Sequence, residues 1–167
     1  MISVFERPTE FDSYPLPEIT NPAGVLIRDA GPLPWRVPQV KANPELAIWF
    51  LRWIVIRETG EIVGSISFHA PPDASGMIEI GLGIEEPFRR NGYAREALVG
   101  MWDWVVTQPG VETLRYTVGI TNQPSINLIQ SMPFELVGQQ IDEEDGPEDI
   151  YEISKENYLG WRKFSDR

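Results

Sequence analysis

Three groups of residues in this 167-residue chain have types and spacing suited to chemistry. The first centres on Glu79 in the run Met77–Ile84, MIEIGLGI. Alternation there predicts a strand with Ile78, Ile80, Leu82 and Ile84 on one face and Met77, Glu79, Gly81 and Gly83 on the other. Two glycines beside one carboxylate leave backbone bare, which inside a strand marks a bulge or the close approach of a ligand. Glu79 is a candidate catalytic carboxylate; the alternative is a strand carboxylate paired with a neighbouring arginine. The second group is the loop FRRNGYA, Phe88 to Ala94. It opens a helix whose apolar stripe is Ala94, Ala97, Leu98, Met101, Trp102 and Val105. Unpaired N–H groups and the positive dipole end make the first turn an anion site. Gly92 lets backbone approach a ligand, and Arg89, Arg90 and Arg95 add positive charge. Phosphate fits there, against the plainer reading of a capped helix start with surface arginines. The third group is Thr121–Ser125, TNQPS, where Asn122 can cap a second helix with Pro124 in its first turn.

No GK[ST] is present in the loop, which excludes a nucleoside triphosphatase P-loop, and Gly81-Leu82-Gly83 lacks the third glycine of a dinucleotide fingerprint. What remains is Arg-x-x-Gly-x-Ala, Arg89 to Ala94, directly after the strand. This resembles the pyrophosphate loop of the GNAT superfamily, the acyl-CoA-dependent N-acyltransferases, and the resemblance extends over roughly residues 24 to 153. It implies an α+β GNAT-like fold, a mixed, mostly antiparallel sheet with a central splayed parallel strand pair flanked by helices. It also implies acetyl-CoA as co-substrate and no metal. The resemblance places Leu82, Gly83 and Ile84 along the pantetheine arm, with a backbone N–H near Gly83 or Ile84 facing the thioester oxygen. Arg89, Arg90, Asn91, Gly92, Tyr93 and Ala94 would hold the pyrophosphate. Glu79 matches the strand glutamate that serves as base in histone-type members, since an attacking amine must first lose a proton.

TNQPS resembles the Asn-x-x-Ser element of the branch containing ribosomal-protein N-terminal (alanine) acetyltransferases. Asn122 would then touch the cofactor, and Ser125 would hydrogen-bond or protonate the departing thiolate. The chain departs from that branch at Asn127, where an arginine is usual, and at Pro133, where a glycine is usual. Ile129 stands where many other members place an acid tyrosine, which leaves Ser125 or water as general acid. The implied reaction is acetyl transfer to a primary amine, on a small molecule or a protein N-terminus, by direct attack in a ternary complex. A non-catalytic CoA-binding sensor or partner module is the alternative.

Composition narrows the partners. There is no cysteine, so disulfides, cysteine-ligated zinc and a thiol acyl-enzyme are excluded, and the single histidine, His69, cannot anchor a metal cluster alone. At the end of a strand, His69 reads as a satisfied polar residue rather than a base. A net charge of −11 argues against nucleic acid and anionic membranes; it favours a cationic amine acceptor or merely keeps the protein dissolved. No signal peptide or membrane-length apolar run is visible, so a cytoplasmic location is expected. The acidic stretch DEEDG, Asp142 to Gly146, lacks the ligand spacing of a calcium loop and reads as a solvated turn.

The remaining elements must position these groups. Residues 1–22 read as an extended, proline-rich arm, and 23–167 as a single domain. A first strand is predicted over Gly24–Ala30; the prolines of GPLPWRVP then argue against a long helix. Asn43-Pro44-Glu45 starts a short helix. Phe50–Arg57 and Ile62–Ala70 form a hairpin around Glu58–Glu61. Strand, helix and strand (Met77–Ile84, the Gly92 helix, Glu112–Gly119) imply a right-handed crossover and a parallel pair. A shorter helix over Thr121–Met132 and a hairpin of Phe134–Gln140 with Asp149–Ile153 complete the order. Members of the family usually carry two helices between their first two strands as a wall of the acceptor cleft. Here that wall is expected to be reduced, remodelled or completed by a second copy of the chain, as in a homodimer.

Overall fold

A computed structural model describes residues 18–24, 33–143 and 145–165. The predicted first strand falls almost wholly outside them. Contacts divide the chain into two compact units, one running to Phe68 and including Leu82–Leu98, the other comprising His69–Gly81 and the chain from Val99.

In the first unit, the proline-rich interval corrects the sequence expectation, because it folds as α1 (Leu33–Ala42). Pro34 lies in the first turn, where a missing N–H breaks no helical bond. Pro38 is interior, yet Leu33, Val37 and Val40 are all buried along one face. Their burial outweighs the single hydrogen bond that Pro38 removes. A 3-10 turn over Pro44–Ile48 follows, capped as expected by the Asn43 side chain, which accepts from the Glu45 N–H at 3.1 Å. The interval expected to be poor in helix thus carries two helical segments.

Strands β1 (Arg52–Val55) and β2 (Ile62–Phe68) form the expected antiparallel hairpin. Thr20, in the described end of the proline-rich arm, bridges to Glu61, with Ile62 N–H donating to Thr20 O at 2.9 Å. β3 (Met77–Ile84) changes unit between Gly81 and Leu82. Its last residues lie against β2, where Glu85 N–H donates to Val63 O at 2.8 Å. There, a Cβ built on Gly64 would sit 2.1 Å from the Gly83 carbonyl oxygen. That neighbour is backbone and cannot swing aside. Gly64→Ala is expected to destabilise the protein by about 1–3 kcal/mol, read as a lowered urea midpoint, because β2 and β3 must separate locally. An unchanged midpoint would mean the strands have slack at this point.

The second unit holds the predicted parallel pair. β3 and β4 (Thr113–Gly119) run in register from Met77↔Thr113 to Glu79↔Arg115. Two more strands complete this part in the order β3-β4-β6-β5, where β5 is Glu135–Asp142 and β6 is Gly146–Ser154. Leu114, Tyr116 and Val118 are buried on one face of β4, as their alternation predicts. α2 (Tyr93–Val105) connects the parallel strands, with Leu98, Trp102 and Val105 fully buried at helical spacing. α3 (Gln123–Gln130) buries Ile126 and Ile129. The architecture is the expected mixed sheet with one parallel pair and flanking helices.

The last element among the described residues is a helix that the sequence reading did not foresee, α4 (Lys155–Ser165). Its anchor is Tyr158, fully buried, whose hydroxyl donates to Asp103 Oδ1 at 2.8 Å. Arg162 donates to both oxygens of the same carboxylate, at 2.8 and 2.9 Å. Tyr158→Phe keeps the ring and removes the hydroxyl that bonds Asp103 Oδ1 at 2.8 Å and Val99 O at 3.3 Å, so a loss of about 1 kcal/mol in thermal unfolding is expected. A loss near zero would show that Arg162 alone satisfies Asp103.

Candidate active site

The loop between β3 and α2 is shaped by its own side chains. Arg89 Nε donates to Ile84 O at 2.9 Å, closing the loop over the end of the strand. Asn91 Nδ2 lies 3.0 Å from Phe88 O and 3.1 Å from Arg89 O, bracing the turn from within. Arg90 has φ 65° and is the non-glycine residue with positive φ among those described; Gly92 follows at φ 85°. Such backbone in a non-glycine residue is uncommon and clusters at ligand sites. A Cβ at Gly92 would meet open space. Arg89, Arg90, Asn91 and Gly92 are exposed, and Tyr93 and Ala94, half-buried, begin α2. On the strand side, Leu82 and Ile84 are half-buried while Gly83 is exposed, again with open space where a side chain would start. Bare backbone, an open helix start and two guanidinium-bearing residues suit a pyrophosphate.

Glu79 lies in the second unit. Its Oε1 accepts a short hydrogen bond from the Thr117 hydroxyl on β4 and faces His69 Nδ1 at 3.4 Å. The arginine partner considered as the plain alternative is not what holds it. Arg115, in register with Glu79, instead directs its guanidinium to Glu152 at 2.6–2.7 Å. His69 N–H donates to Glu79 O at 2.9 Å, so the two residues face each other across neighbouring chain segments. The Gly81 face is not empty, because a Cβ there would stand 2.9 Å from His69 Nε2.

Asn122 is the N-cap of α3, its side-chain oxygen accepting from Ser125 N–H at 3.3 Å. The Ser125 hydroxyl shares a hydrogen bond with the buried Tyr116 phenol, whose pKa burial pushes up and the Ser125 bond lowers in part. Tyr116 therefore stays protonated at neutral pH, in hydrogen-bond contact with Ser125. Among the described residues, no group of His, Cys, Asp and Glu could hold a metal ion, and no helix is long and apolar enough to cross a membrane.

A family model described as an acetyltransferase (GNAT) domain matches residues 19–135, well over half of the chain. The chain belongs to the GNAT family. Curated relatives include the N-acetyltransferase YjdG of Bacillus subtilis, 32% identical over 86 residues covering 51% of each protein. Another is p20 of Bacillus licheniformis, 30% identical over 112 residues, 64% of this chain and 63% of that one. The chain thus spans between half and two thirds of these relatives' length. Among solved structures, a GNAT acetyltransferase from Bacillus anthracis aligns at TM-score 0.56 with 21% identity, covering 64% and 66% of the two chains. The spermidine/spermine N-acetyltransferase SpeG of Vibrio cholerae aligns at 0.58 with 15% identity, covering 66% and 69%. The microcin C7 self-immunity acetyltransferase MccE, solved with acetyl-CoA and AMP, aligns at 0.50 with 18% identity, covering 56% and 54%. At these identities the structures attest the fold.

Within this GNAT domain, the side chains that contact the candidate residues from elsewhere in the fold were not foreseen from the sequence. Thr117, Tyr116 and Gly64 touch candidate residues from other strands, and no local pattern announces such contacts. His69 had a signal, being the lone histidine at the end of a strand one turn from Glu79's strand.

Proposed function

We propose that the protein is an N-acetyltransferase that moves an acetyl group from acetyl-CoA to a primary amine by direct attack in a ternary complex. The observation that carries this reading is the Ile84–Ala94 loop, with bare, positive-φ backbone held open ahead of a helix start. The loop would take the pyrophosphate, and Leu82, Gly83 and Ile84 the pantetheine arm, with Asn122 a further cofactor contact. The acetyl-CoA reported in MccE and the matched family model support the same co-substrate. Glu79 would serve the amine's deprotonation as the base on this strand, and Ser125, in contact with the neutral Tyr116 phenol, would hydrogen-bond the leaving thiolate.

For the acceptor, a net charge of −11 supports a cationic amine, and SpeG's named substrates are amines of that kind. The Asn122–Ser125 element supports a protein N-terminus instead, through its resemblance to the ribosomal-protein N-terminal acetyltransferase branch. A single catalytic domain after residue 22, a cytoplasmic location and a homodimer belong to this proposal. The test is release of free coenzyme A thiol from acetyl-CoA with spermidine, an aminoglycoside or a basic peptide bearing a free N-terminus. Turnover with one of them is expected; binding of acetyl-CoA without turnover on any amine would favour the sensor module.

A further inference from the structure

We propose that His69 is the group that takes the proton from the acceptor amine, with Glu79 holding the imidazole from behind. This deepens the acetyltransferase reading and rests on it. Three observations point to the imidazole. The Glu79 side chain is only 17% exposed while that of His69 is 47% exposed, so the imidazole is the face an incoming amine meets. Glu79 Oε1 is engaged twice, by the Thr117 hydroxyl and by His69 Nδ1, which fixes its orientation and leaves it poorly placed to receive a bulky amine. Gly81, on the same face of β3, provides the room: any side chain there would begin 2.9 Å from His69 Nε2. The bare strand is thus partly explained by the ring that leans over it.

The arrangement has a chemical consequence. A carboxylate opposite Nδ1 selects the tautomer with the proton on Nδ1 and the lone pair on Nε2, and stabilises the imidazolium once it forms. Imidazole is the side chain most often used to move a proton to or from a reacting group, and the geometry above places this one ahead of the carboxylate. The acceptor ammonium gives one proton to Nε2 and becomes a neutral amine. Its lone pair forms the N–C bond to the thioester carbon, and the C–S electron pair leaves on sulfur. The second proton shed by nitrogen goes to the thiolate, yielding amide and free thiol, and His69 returns its proton to water. Arg115, in register with Glu79 on β4, pairs with Glu152 and also interacts electrostatically with Asp73.

The experiment compares wild type, His69→Ala, His69→Gln and Gly81→Ala in the thiol-release assay, with acetyl-CoA-induced thermal shifts measured alongside. His69→Ala and His69→Gln are expected to lower kcat about 10²–10⁴-fold while keeping the acetyl-CoA shift. Added imidazole should restore part of the His69→Ala rate, which a purely structural histidine would not show. Gly81→Ala is expected to lower kcat by displacing the ring, with both Glu79 and His69 still present. Wild-type turnover in His69→Ala, or a loss that imidazole leaves untouched in both His69 variants, would overturn the proposal and leave Glu79 as the base. Absence of turnover in the wild type is a different outcome: it would remove the acetyltransferase reading and this proposal together.

Discussion

Glu79→Gln is expected to lower kcat about 10²–10⁴-fold at saturating acetyl-CoA and amine, with the Michaelis constant for acetyl-CoA nearly unchanged. The substitution keeps the shape of the side chain and an oxygen able to accept from Thr117. It removes the negative charge that faces His69 Nδ1. Whether the carboxylate takes the proton itself or stabilises a protonated imidazole, that charge matters most when positive charge arrives, so the effect falls on kcat. The glutamine can also present its NH₂ to Nδ1, favouring the wrong tautomer, which adds to the loss. Stability should change little, because the site is partly solvated. A variant with kcat within threefold of wild type would remove Glu79 from the mechanism in either role.

Gly92→Trp is expected to abolish stabilisation by acetyl-CoA. For the wild type, ligand at about a hundred times the dissociation constant adds roughly 2.7 kcal/mol, a rise of several degrees in melting temperature. In the variant, the side chain would project into the open space above the loop, where Gly92 now meets nothing. It would occupy the ground that the pyrophosphate needs. The φ of 85° adds a cost of about 1–2 kcal/mol for any residue with a Cβ, so the unliganded melting temperature falls as well. The two effects separate cleanly in one pair of melting curves. A full acetyl-CoA shift in Gly92→Trp would place the pyrophosphate elsewhere and overturn the reading of the loop.

Much of the fold was legible because it rests on short-range pattern. The alternation of MIEIGLGI and ETLRYTVG, the stripe through Leu98, Trp102 and Val105, and the Asn43 and Asn122 caps all act within a few residues. What pattern hid was decided by burial. α1 forms through two prolines because Leu33, Val37 and Val40 gain a core, and propensity yields to that gain. α4 was invisible for a related reason. Its polar face dominates the composition, and its anchor, Tyr158 on Asp103, joins residues 55 positions apart.

By itself, the sequence determined the strand–loop–helix core and the parallel pair, since these follow from spacing along the chain, and it pointed to the family through the resemblance of its Arg89–Ala94 loop. The surroundings of Glu79 were settled only by tertiary structure. Thr117 reaches it from 38 residues away, and His69 faces it from across a turn, over a glycine. Hydrogen bonds between strands depend on register and on which face each side chain takes, and register is set by the packing of the whole sheet.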